Sequence, residues 1–171
     1  MNPRLSLCAL LCILCLGWSP ASAGELDGTW LFDGGTAELD ARDAAVQSAV
    51  DTFPLLLRGI AARRLQRSAI RPDRYVIEDR TDTILMQLDD AAPHETDLVG
   101  TPITFTPDGQ RDAVTLARQR QGRAVHSTVT ADTGSLESHF ERAGEGLTVT
   151  LTVSSERLAS PVIYSLTYRR Q

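Results

Sequence analysis

From Ala113 to Arg170 the chain repeats one unit: an alternating run of apolar and polar residues, then a short turn. The runs are Ala113–Gln119, Ala124–Thr130, Ser135–Arg142, Leu147–Ser154 and Val162–Arg170, and Gly122, Gly134, Gly144 and Gly146 mark the turns. In the fourth run Leu147, Val149, Leu151 and Val153 alternate with Thr148, Thr150, Thr152 and Ser154. Period two puts one set of side chains on each face of a strand, so each run reads as a half-buried strand. Connections this short make successive strands antiparallel neighbours. Left open, a long sheet of this kind would expose two unpaired edges; curling it into a barrel removes them.

The rest of the chain supplies more staves and one interruption. Leu26, Trp30 and Phe32 share one parity, with Gly28 between them, so Leu26–Phe32 reads as a strand carrying an indole inward. After Asp33-Gly34-Gly35 the period changes. Val46, Val50, Phe53, Leu57 and Ile60 recur at helical steps between about Glu38 and Leu65. Pro54 is tolerated only in a first turn, which breaks the region into two helices near Asp51-Thr52. Arg63, Arg64, Arg67 and Arg71 gather at the end of the second helix. Beyond Pro72, Arg74–Asp79 and Thr83–Asp89 form a hairpin around Arg80-Thr81-Asp82, and Ala91–Glu95 reads as a loop. Thr101–Thr106 is a short strand ended by the turn Thr106-Pro107-Asp108-Gly109.

Ahead of the first strand, Arg4, the apolar run Leu5–Leu16 and the small residues Ala21-Ser22-Ala23 have the order of a secretory leader, with cleavage expected after Ala23. A lipid anchor at Cys15 is the competing reading, opposed by bulky Leu14 before it. Cys8, Cys12 and Cys15 all leave with the leader, so the expected domain, residues 24–171, has no disulfide and no thiolate metal site. Its 148 residues suffice for one core. Sixteen arginines against 22 carboxylates give that domain a formal charge of −6, which argues against nucleic acid as a partner. A periplasmic or secreted location is expected.

The fold expected is mainly β: an antiparallel up-and-down barrel of about eight to ten strands, with two helices inserted after the first. That size is where a barrel interior begins to have room for one small ligand. Aromatic residues make up only 5% of the chain, which favours a cavity over a filled core.

Gly28-Thr29-Trp30 near the start and Tyr168-Arg169-Arg170 at the end resemble the two ends of the calycin group, the lipocalins and fatty-acid-binding proteins. The helix pair directly after the Trp strand is similar to the fatty-acid-binding branch. The resemblance implies a carrier of an apolar or amphiphilic molecule, with Trp30 packed structurally against a basic residue of the last strand. Arg170 shares parity with Tyr168 and is the expected partner. One departure matters: where that branch places an arginine two residues before the tyrosine, this chain has Leu166. A carboxylate partner must then come from elsewhere, or the ligand has none.

Arg118 shares parity with Val114 and Leu116, and Arg142 with Leu136 and Phe140. A guanidinium fork in that position suits a carboxylate, although near a strand end it can also reach solvent. The candidate ligand contacts are therefore Arg118, Phe140, Arg142, Tyr164 and Tyr168. His94, His126 and His139 show no metal spacing, and His126 and His139 take the outward parity. Thr133-Gly134-Ser135-Leu136 lacks the second glycine of a nucleophile elbow. No enzyme activity, cofactor or metal is expected. The alternative function is a filled envelope scaffold that docks to a membrane or protein through Arg63, Arg64, Arg67 and Arg71 beside apolar Leu55–Ile60. For those arginines the plainer reading is a solvated face pairing with Asp73, Glu78 or Asp79.

Overall fold

The computed structural model describes residues 24–107 and 109–171; the expected leader, through Ala23, lies outside them. Strand β1 (Gly28–Phe32) leads into helix α1 (Thr36–Asp51), a single 3-10 turn (Leu55–Leu57) and helix α2 (Arg58–Ser68). Nine strands follow: β2 (Arg74–Asp79), β3 (Thr83–Leu88), β4 (His94–Asp97), β5 (Ile103–Phe105), β6 (Val114–Gln121), β7 (Ala124–Ala131), β8 (Gly134–Ala143), β9 (Gly146–Ser154) and β10 (Val162–Arg170). They form one sheet of ten antiparallel strands in the order β4-β3-β2-β1-β10-β9-β8-β7-β6-β5. Every neighbouring pair except β1–β10 joins consecutive strands, and the helix pair lies within the β1–β2 connection. The first strand is thus gripped between the second and the last, and the sheet curls into a nearly closed barrel.

The helix break falls where Pro54 requires it, with Pro54 heading the 3-10 turn. Val46, Ala49 and Val50 of α1 and Leu65 of α2 join the same core cluster as Trp30, Tyr75 and Tyr168, so the helix pair caps one end of the barrel. Strand β4 is a correction to the loop expected over Ala91–Glu95. Its sequence, His94-Glu95-Thr96-Asp97, has no apolar alternation to read. It is a strand because β3 offers it an edge, pairing Ile84 with Thr96 and Met86 with His94.

The barrel closes at a seam where the ladder gives out. Between β4 and β6 the backbone supplies an isolated bridge, Val99 with Gln119, and the bond from the Arg120 N–H to the Leu98 carbonyl. Arginine side chains complete the closure. Arg120 of β6 reaches the Asp79 carboxylate of β2, which is fully enclosed and also accepts the Leu26 N–H at 3.1 Å.

Candidate ligand-binding interior

Residues directly opposite on neighbouring strands face the same side of a sheet. One such row crosses the inner wall at mid-height: Arg118 pairs with Ser127, Ser127 with Ser138, Ser138 with Leu151, and Leu151 with Tyr164. Across the seam Arg118 meets Thr96, whose partner on β3 is Ile84. Thr96, Arg118, Ser127 and Ser138 are buried polar side chains, and all four lie on this row. The interior is therefore greasy with one polar stripe.

Arg118 is the charge in that stripe, at 3% exposure. Its Nη1 donates to the His94 carbonyl at 2.8 Å, with longer contacts to Thr96 Oγ1 at 3.3 Å and the Ile84 carbonyl at 3.5 Å. Its Nε is buried and has no hydrogen-bond partner. Loss of hydration lowers its pKa to about 10, still far enough above neutrality to keep the guanidinium charged. A buried donor left unsatisfied is costly and rare, and it points to a group that completes it.

Phe140, Tyr164 and Tyr168 all face inward, but they do not all surround Arg118. Phe140, Tyr75, Tyr168 and Phe32 form an edge-to-face chain with centroid spacings of 5.3, 5.0 and 5.8 Å. The Tyr164 hydroxyl donates to the Ile70 carbonyl at 2.7 Å, and that of Tyr168 to the Pro72 carbonyl at 3.0 Å. Both phenols thus tie the connector after α2 to the barrel wall. Arg142 is a correction: it shares the inward parity of Phe140 but lies exposed, its Nε donating to the Gly144 carbonyl at 3.0 Å. Its guanidinium turns away from the core to the Gly144 and Glu25 carbonyls, so parity does not mean burial for this long side chain.

On β1, Trp30 is fully buried and its Nε1 donates to the Leu26 carbonyl at 2.8 Å. The Arg170 guanidinium carbon stands 5.9 Å from the indole centroid. The best-formed clefts open to solvent: one of about 470 Å³ between Ile70–Pro72 and Leu88–Ala91, and one of about 340 Å³ around Thr130–Ser135 and Ser154–Glu156. Few aromatics does not mean few fillers, because Trp30, Phe140 and all three tyrosines of the chain are buried inside.

Of the helix arginines, Arg71 pairs with Asp73 at 2.6 Å and lies over the Phe32 ring. Glu78 and Asp79 are taken by Arg80 and Arg120 instead. Arg63, Arg64 and Arg67 are exposed beside Leu55 and Leu56, which are 78% and 93% exposed. Sequence reasoning missed Thr96, Ser127 and Ser138 as site residues. Strand parity signals the two serines, but only register places them beside Arg118.

No sequence-family model and no curated protein sequence matches this chain. Solved structures do. Fatty-acid-binding protein 1 of Echinococcus granulosus aligns over 85% of this chain and 97% of its own, at 13% identity and a TM-score of 0.53. A secretory abundant heat-soluble protein of Ramazzottius varieornatus aligns over 90% and 100%, at 13% identity and a TM-score of 0.55. The zebrafish ileal bile-acid-binding protein, solved with cholic acid, aligns over 86% and 99%, at 11% identity and a TM-score of 0.53. The chain has the barrel fold of the fatty-acid-binding proteins, helix pair included.

Proposed function

We propose that this protein is an exported, non-enzymatic carrier of an amphiphile with one anionic head group. Arg118 carries the reading: a charged, enclosed guanidinium facing the interior with one donor unused. A carboxylate satisfies such a fork through two parallel bonds, and Ser127 and Ser138 on the same row extend the polar lining. Arginine on β6 then replaces the one that the last strand lacks at Leu166. The fold supports the same class, since the similar proteins include a fatty-acid-binding protein and one holding cholic acid. In this reading the apolar tail displaces flexible fillers such as Met86, and the cleft beside Ile70 and Leu88 is where the tail enters.

The test is binding of a long-chain fatty acid and its methyl ester to delipidated protein. One equivalent of the acid is expected to bind. Arg118→Met should weaken the acid about 10- to 100-fold, the scale of a charged hydrogen bond, and leave the ester unchanged. Indifference of the wild-type protein to both ligands overturns the carrier reading. Export is tested separately: the protein recovered from the cell envelope should begin at Gly24.

A second reading rests on the tip between the helices. Leu55, Leu56, Leu57 and Ile60 stand exposed together, with Arg63, Arg64 and Arg67 nearby. Such a tip suits insertion into an anionic bilayer surface. Co-sedimentation with phosphatidylglycerol vesicles that is lost in Leu55→Ser/Leu56→Ser supports it; absence of binding at low salt removes it.

A further inference from the structure

We infer that the outer wall of β7 and β8 carries a binding site for a divalent transition-metal ion of the imidazole-seeking kind, such as zinc or copper(II). His126 and His139 are thirteen residues apart in the chain, a spacing that suggests nothing, yet the β7–β8 register sets them directly opposite each other. Both take the outward parity, since Ser127, Ser138 and Phe140 beside them are buried. Directly opposed residues have Cβ atoms about 4.5–5.5 Å apart. Two imidazoles so placed can bring nitrogens about 3.3 Å apart, as bonds of about 2.0–2.1 Å to one tetrahedral ion require.

Glu137 and Glu141 lie two residues to either side of His139 on the same face. His126 Nε2 is 3.5 Å from Glu137 Oε2, and His139 Nε2 is 4.0 Å from Glu141 Oε2. Arginine is this chain's only cationic side chain, abundant at 17 copies, and elsewhere it takes up Asp79, Glu78, Glu95 and Glu25. Glu137 and Glu141 have ion pairs only with these histidines among the described residues. The patch therefore joins two neutral-capable nitrogen donors to two carboxylates without a competing cation. A site with two imidazoles favours zinc or copper over calcium and magnesium, which take oxygen. As it stands each ring leans on its own carboxylate, and no three donors converge among the described residues. Turning both half-exposed rings toward each other by side-chain rotation alone closes the site, past the small neighbours Thr128 and Thr150.

Calorimetric titration of untagged, chelator-stripped protein with zinc and with copper(II) tests the site. One equivalent of metal is expected. His126→Ala and His139→Ala should each weaken binding at least about tenfold, the scale that even outer-shell losses reach. His94→Ala should leave it unchanged. With copper bound, electron paramagnetic resonance should show two nitrogens coupled to the metal, and one in either single variant. These substitutions are on the outer wall, and circular dichroism confirms that the variants fold. No binding by the wild-type protein, or binding that survives loss of both histidines, overturns the site. Equal affinity for calcium also overturns it.

Discussion

At the scale of single residues, Gly28 shows how one missing Cβ shapes an end of the barrel. Its φ of +133° is a conformation that residues with a side chain rarely adopt. A Cβ built there would lie 2.8 Å from Arg170 Nε, inside any real contact. Glycine is what lets Arg170 cross the strand and lie over Trp30. Gly28→Ala should therefore cost about 1–3 kcal/mol through backbone strain, read as a lower urea midpoint at unchanged slope. Displacement of Arg170 from the indole should appear as a shifted Trp30 fluorescence maximum if residues 24–171 are used, where Trp30 is the sole tryptophan. Arg118 shows the reverse case. Its parity was legible as inward, but its burial and its unused Nε follow from β4 and β6 meeting at the seam.

At the scale of elements, the seam holds the barrel shut where backbone pairing fails. Asp79 is enclosed and accepts from both Leu26 and Arg120, so it ties β2, β6 and the segment before β1 together. Removing one member of a buried pair leaves the other charge uncompensated. Asp79→Ala should cost about 3–5 kcal/mol, measured by chemical denaturation. Faster amide exchange confined first to β4 and the start of β1 would mark the seam as the place that opens. The sequence offers Asp79, beside the turn Arg80-Thr81-Asp82, only as a solvated partner for the helix arginines. Nothing local shows that a strand forty-one residues later supplies its arginine.

At the scale of the whole molecule, every tyrosine in the chain faces the interior, and this gives the barrel a pH signature. Burial raises the phenol pKa of Tyr75, Tyr164 and Tyr168 above the ordinary value. A raised acid holds its proton longer folded than unfolded, so its stabilisation is complete below about pH 10 and is lost as pH climbs beyond it. Arg118 has the opposite sign, because a guanidinium with a lowered pKa releases its proton more readily folded. Three phenols against one guanidinium leave alkali destabilising. Tyrosinate absorbance should stay flat through pH 10 and then rise for all three tyrosines together, coincident with loss of circular dichroism. A separate early step for one tyrosine would show that its ring is not enclosed.

The alternation of Leu147–Val153 with threonines, the change to helical period after Gly35 and the break at Pro54 were local facts, and each fixed an element without help from the rest of the chain. Period and turn chemistry act over a few residues, so nine of the ten strands and the helix pair could be read directly. Strand β4, the polar row around Arg118, the outward Arg142, the seam arginines and the His126–His139 pair are all consequences of register, curvature and closure. Those depend on which distant strand lies alongside, a quantity that no short window of sequence contains.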